Sequence, residues 1–334
     1  MKPITIIDQG SFFAGGSVTR VSGEYELHSK ENPVGQTLHG DHAYAFYQIP
    51  EKPKKLPMVF LHGHGQSGKT WETTPDGREG FQTIYLRKGY GVYILDQPRR
   101  GKASCSTESV TIEASPNDVY AVNCLFRLGL WPEYFDNVQF DKSPETYDQF
   151  CRWAAPNTGP FDLELVSDGV AAALKKAGKS IFVTHSMGGG VGWMASMKSK
   201  NVGAIVSYEP GSNFVFPEDE MPDPIDSSHA PLAGYPVPLE MFMELTKMPI
   251  VIYYGDNIPE TWCEYPGFDA WRVRLEMAYI FADAVNRHGG DCKVIHLPKD
   301  RGICGNTHFP FADLNNLEIA AELDAWLHEK GLDI

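Results

Sequence analysis

No run of about 18 apolar residues occurs in the 334-residue chain, so no membrane-spanning helix is expected. No Cys-x-x-Cys pair occurs either. Cys105, Cys124, Cys151, Cys263, Cys292 and Cys304 are scattered, which excludes the common zinc ribbons and dithiol redox motifs and leaves buried thiols or one or two disulfides. Residues 1–8 lack the apolar core of a signal peptide, so the expectation is a cytoplasmic protein, or a secreted or periplasmic one had a leader been removed. Positive charge is scarce: 29 Lys and Arg face 43 Asp and Glu, a formal net charge of -14. That balance argues against a nucleic-acid groove or an anionic membrane surface as partner. Repeats and low-complexity tracts are absent too. What is present is 42% hydrophobic and 12% aromatic residues, enough for a sizeable core.

Short apolar runs bounded by turn residues predict buried strands at 58–61, 91–95, 180–184, 204–208, 250–254 and 293–297. Helical patterns fall between or after them, at 162–177, 268–287 and 317–330, the last placing Ile319, Leu323, Trp326 and Leu327 on one face. Strand–helix alternation of this kind specifies an α/β fold with a mostly parallel central sheet flanked by helices. Residues 17–21 and 43–48 add an antiparallel edge before the Lys/Pro linker at 50–57. The whole of 1–334 is expected to form a single domain. Two stretches exceed what a crossover needs, the aromatic-rich 102–159 and the Pro/Asp/Met-rich 211–247. Insertions of this size form a cap or pocket wall, or else a satellite core on the sheet.

Ile181-Phe182-Val183-Thr184-His185-Ser186-Met187-Gly188-Gly189-Gly190 carries the clearest chemistry. An apolar run enters a turn of small residues, and a helix starts at 191. This is the layout of a nucleophile elbow, which lifts a serine Oγ above the sheet edge at a helix N-terminus. Gly188 fills the position two after the serine, but Thr184 stands where glycine is usual two before it. A serine hydroxyl needs a base within reach, and the base needs an orienting acid. His308, between the last strand and the last helix, occupies the base position; His296 lies inside a strand and His328 on the terminal helix. Two carboxylates compete as the acid, Glu209 in Tyr208-Glu209-Pro210 and Asp256 after the run 251–255. Both stand at carboxyl ends of strands, where sites of open α/β sheets gather. Oxyanion donors are expected from the backbone N–H groups of Met187 and of His64, in the turn Leu61-His62-Gly63-His64-Gly65.

Residues 63–70 also match a P-loop letter for letter, and Val92-Tyr93-Ile94-Leu95-Asp96 imitates its metal-binding partner strand, so a nucleotide hydrolase is the rival reading. Pro75 and Gly77 follow too soon for the long helix whose N-terminus a phosphate needs. His62-x-His64 lacks further ligands, and no metal or cofactor is expected. A ligand-binding relative of the fold without catalysis is the third reading.

The chain resembles the α/β-hydrolase superfamily over about residues 55–330, and more narrowly the bacterial esterases of the esterase 713 type. The narrower resemblance rests on Asp8-Gln9-Gly10-Ser11-Phe12-Phe13-Ala14-Gly15-Gly16, Gly40-Asp41-His42-Ala43-Tyr44, Thr70-Trp71-Glu72-Thr73-Thr74-Pro75-Asp76-Gly77-Arg78 and Asp96-Gln97-Pro98-Arg99-Arg100-Gly101. Gly305-Asn306-Thr307-His308 with Asp313-Leu314-Asn315-Asn316 completes the set. The resemblance implies an α/β-hydrolase fold, hydrolysis of small-molecule carboxylic esters, a homodimer, and a glutamate as the acid, which falls on Glu209. One departure stands out: the oxyanion turn is His64-Gly65, where the best-known member carries adjacent cysteines. Any chemistry of that cysteine pair therefore has no counterpart here. The combined expectation is a serine esterase with Ser186 as nucleophile, His308 as base and Glu209 as acid.

Overall fold

A computed structural model describes residues 3–27 and 31–334. Ten strands run in chain order: β1 (Ile6–Arg20), β2 (Thr37–Pro50), β3 (Met58–Leu61), β4 (Val92–Asp96), β5 (Ser180–His185), β6 (Val202–Tyr208), β7 (Val215–Pro217), β8 (Tyr235–Val237), β9 (Pro249–Tyr254) and β10 (Asp291–His296). The α-helices are α1 (Phe81–Arg87), α2 (Pro144–Cys151), α3 (Leu163–Ala177), α4 (Met187–Lys198), α5 (Leu239–Phe242), α6 (Pro266–Arg287), α7 (Leu297–Arg301) and α8 (Asn316–Glu329). Eight strands make one sheet in the order β1-β2-β4-β3-β5-β6-β9-β10. β2 runs antiparallel to β1 and β4, and the remaining neighbours are parallel. This is the α/β-hydrolase fold the sequence led us to expect.

The central strands are short and apolar because both their faces are covered. Every residue of β3 and β5 is buried. One face packs on α3, α4 and α6 through Val166, Val170, Trp193 and Phe281. The other packs on α1 and α8 through Phe81, Tyr85, Leu323 and Trp326. Asp162 caps α3 by accepting the Leu165 N–H at 3.1 Å, which sets the helix start where the sequence signals it. The expected strand at 17–21 is the end of a much longer one. β1 begins at Ile6 and pairs with β2 along most of its length. Most of β1 is exposed; its burial alternates only over residues 10–15, where Gly10, Phe12 and Ala14 face inward, and with glycine and adjacent phenylalanines there the sequence carries no clear apolar alternation.

Parallel strands bring the loops after Leu61, His185, Tyr208 and Tyr254 to one rim of the sheet. Residues 102–159 hold α2 and a six-residue π-helical turn, Tyr120–Leu125, beside that rim. In 211–247, β7 and β8 form a two-stranded parallel ribbon, and Phe214, Phe216 and Phe242 join the core around Phe281. Among the described residues no helix is long and apolar enough to cross a membrane.

Candidate active site

Ser186 ends the turn between β5 and α4 with φ 55° and ψ -126°, a backbone conformation side-chain-bearing residues rarely adopt. Its N–H donates to the Tyr208 carbonyl at 3.0 Å, and its own carbonyl accepts the Gly189 and Gly211 N–H groups at 2.9 and 3.1 Å. Close approach is enforced on every side. A Cβ on Gly188 would stand 2.5 Å from the His62 carbonyl oxygen, and one on Gly63 would stand 2.7 Å from Ser186 Cβ. Thr184, where the elbow usually has glycine, is accommodated from the helix side. A Cβ on Gly192 would meet Thr184 Cγ2 at 2.7 Å, so the missing side chain has moved one helical turn along.

His308 lies in the loop between α7 and α8 and is buried. Its N–H donates to the Phe126 carbonyl at 3.0 Å, and its carbonyl accepts from His185 Nε2 at 2.9 Å. Its ring lies between Phe126, at 5.4 Å, and Trp271, at 4.2 Å between centroids. The loop before it is pinned by Asp313, which accepts the Thr307 N–H and hydroxyl, both at 2.7 Å, and the Asn306 amide at 3.0 Å. Arg78 ties that segment to the early loop by donating to Asn316 Oδ1 at 2.8 Å and to the Asp313 carbonyl at 3.0 Å. Two of the blocks that carry the resemblance therefore contact each other.

The His308 ring donates its Nδ1–H to Glu209 Oε2 at 2.9 Å. Glu209 has no exposed surface, and its other oxygen accepts from Arg127 Nη2 at 2.5 Å and the Gly255 N–H at 2.6 Å. Burial would raise the Glu209 pKa, but the Arg127 charge and the His308 contact outweigh it and hold the carboxyl below its ordinary value. Burial pulls His308 below the usual histidine range and Glu209 only partly offsets this. The imidazole is therefore neutral at pH 7, with Nδ1 protonated and Nε2 bare. Asp256, the competing carboxylate, faces elsewhere. It accepts from the Gly305 N–H at 2.7 Å and Asn137 Nδ2 at 2.9 Å, bracing the loop ahead of His308.

Ser186, Met187, His64 and His308 line one cavity of about 510 Å³. No hydrogen bond joins Ser186 to His308 among the described residues; such bonds commonly tighten only with substrate bound. The backbone N–H groups of Met187 and His64 likewise have no partner among the described residues, which leaves both free to donate. His185 sits behind the pair with its ring 4.4 Å from that of His308, and burial keeps it neutral. His62 is also buried. Its Nε2 accepts the Gln97 N–H at 3.2 Å and its Nδ1 lies 3.0 Å from the Gly63 carbonyl, so it braces the turn.

The P-loop-like segment folds differently from a phosphate cradle. Gly68–Trp71 is a single 3-10 turn, the Gly68 N–H is taken by Asp96 at 2.6 Å, and Lys69 Nζ turns to the Thr73 carbonyl at 2.8 Å. No helix N-terminus is presented there, so the letter match lacks its structural context. Sequence reasoning missed Arg127, which also donates from Nε to the Asp256 carbonyl at 2.8 Å and so links both candidate acids. It lies in the aromatic-rich insertion, where no periodicity or motif marks it. Arg100, inside one of the resembling blocks, donates to the Gly63 carbonyl at 2.9 Å and holds the turn that carries His64.

The comparisons agree with this architecture. A bacterial esterase of known structure is 28% identical, with each chain covered over 98% of its length and a TM-score of 0.76. A probable secreted lipase, phiG, of Fungal sp. (strain ATCC 74256) is 26% identical over 89% of this chain and 88% of its own. The model of the alpha/beta hydrolase family matches residues 58–322, and with the sheet order and elbow just described the chain belongs to that family.

Proposed function

We propose that the protein is a serine hydrolase that cleaves carboxylic esters through an acyl-enzyme. One observation carries the proposal: the His308 imidazole, held at Nδ1 by the ionised Glu209, lines the same cavity as the strained Ser186. His308 Nε2 takes the proton from Ser186 Oγ as the oxygen attacks the ester carbonyl. Glu209 keeps the ring in the tautomer that accepts at Nε2 and stabilises the imidazolium that forms. The Met187 and His64 N–H groups receive the oxyanion. His308 then gives its proton to the departing alcohol, and a water deprotonated by His308 releases the acid. The esterase and lipase relatives support an ester as substrate. No residue in this sequence of steps requires a metal or an organic cofactor. The chain functions as a homodimer, in line with the family resemblance and with β1, whose outer edge is exposed and carries Phe13 and Val18.

Turnover of p-nitrophenyl esters and labelling by a fluorophosphonate test the reading. Ser186→Ala loses the label and about 10⁴- to 10⁶-fold in kcat. A folded Ser186→Ala protein that keeps most of its activity sinks the assignment.

A further inference from the structure

Arg274 of α6 is the only lysine or arginine lining the cavity among the described residues, and its charge is not spent inside the protein. Its Nε donates to the Gly211 carbonyl at 2.7 Å, while Nη1 is buried without a hydrogen bond. It forms no ion pair among the described residues. The nearby carboxylate of Glu209 is already committed to Arg127 and His308. The guanidinium lies over the Trp271 ring, 4.7 Å from its centre, which places it beside the site. Its position relative to the chemistry is bounded. A Cβ on Gly211 would lie 3.6 Å from Arg274 Nε and 3.6 Å from Ser186 Oγ, so these atoms are at most twice that distance apart. The rest of the wall is largely apolar, from Val122, Leu125, Phe126 and Phe150, and cannot itself compensate a cation. Asp118 is the one acid on the wall, and it is exposed, where solvent screens it.

A half-buried guanidinium with one nitrogen buried and unbonded is costly unless a ligand completes it. We propose that Arg274 binds a carboxylate carried by the substrate, so that the preferred substrates are esters with a free carboxylate a few bonds from the scissile carbonyl, such as half-esters of short dicarboxylic acids. The assignment rests on Ser186 as the point of attack. It adds a specificity-determining residue that takes no part in the bond changes themselves.

Ethyl hydrogen succinate and ethyl 4-methylpentanoate differ by a carboxylate in place of an isopropyl group of similar shape. Their kcat/KM values are measured by pH-stat for wild type, Arg274→Met and Arg274→Lys. The charged-to-neutral ratio falls about ten- to a hundredfold in Arg274→Met, and less in Arg274→Lys, which keeps the charge but loses the planar fork. A ratio is independent of how much of each preparation is folded. An unchanged ratio in Arg274→Met overturns the proposal. Wild type alone supplies a second measurement: succinamate competes with the neutral ester more tightly than 4-methylpentanamide, which has an isopropyl group where succinamate has its carboxylate, and equal inhibition overturns the proposal as well. Turnover of both esters that survives Ser186→Ala removes the serine reading, whereas the inhibition comparison judges Arg274 by itself.

Discussion

Replacing Arg127 with methionine removes one partner from an ion pair in which both side chains are fully buried. The Glu209 carboxylate then keeps only the His308 and Gly255 N–H groups, and loses the cation that outweighed its burial. Breaking a buried pair from one side costs about 3–5 kcal/mol, because the remaining charge stays desolvated. With an unfolding entropy of about 2.1 cal/mol/K per residue, that cost lowers the Tm by about 4–7 °C in a chain of this length. The pH dependence gives the loss its signature. In wild type the Glu209 pKa is depressed from 4.5 to about 2, so the stabilisation is fully present above 4.5 and is lost only as pH falls from there through about 2. Without Arg127 the carboxyl takes up a proton readily, so the deficit of the variant is largest at neutral pH and shrinks under acid conditions. Guanidinium titrations followed by circular dichroism at pH 7 and pH 4.5 measure both values. The decisive comparison is the double variant Arg127→Met/Glu209→Gln, in which no charge is left stranded. It regains at least half of the lost stability while ester turnover stays low. If the two single losses simply add, the pair is not coupled and the electrostatic reasoning is wrong.

Glu209→Gln lowers kcat about 10³- to 10⁴-fold with little change in KM, since an amide fixes the wrong tautomer of His308. Asp256→Asn costs far less, because that carboxylate braces the loop through Gly305 and Asn137 without touching His308; a larger loss for Asp256→Asn would exchange the two assignments. Sedimentation velocity at micromolar concentration yields a dimer near twice 37.2 kDa, and a monomer there refutes the association through the β1 side.

Local features of the site were legible and the long-range electrostatics were not. The Ser186 elbow is encoded within about a dozen consecutive residues, because strand, turn and helix follow one another directly. His308 stands out by order alone, as the loop histidine between the final strand and the final helix. Glu209 and Asp256 stayed level on spacing, since both end a parallel strand. They differ in which loop turns its carboxylate back over the sheet, and Glu209 does so from φ 50°. Arg127 reaches Glu209 across 82 residues of sequence, a contact no window could contain. Thr184 looked like a defect in the motif until Gly192, a full turn into α4, proved to supply the missing space. The true length of β1 escaped for a different reason: where its burial alternates, its inward face holds only Gly10, Phe12 and Ala14, too short and too rich in small residues to write a clear apolar pattern.

The segment that walls the cavity also contacts partners of the imidazole in the proposed reaction centre. Phe126 stacks on the His308 imidazole and its carbonyl accepts the His308 backbone N–H, the Leu125 carbonyl accepts the Trp271 indole N–H, and Arg127 bonds Glu209, all within three consecutive residues. Grafting a relative's version of this stretch to admit bulkier molecules would therefore also change the basicity of the His308 imidazole proposed as proton acceptor. In this scaffold, what is let in and how fast it reacts are inherited together.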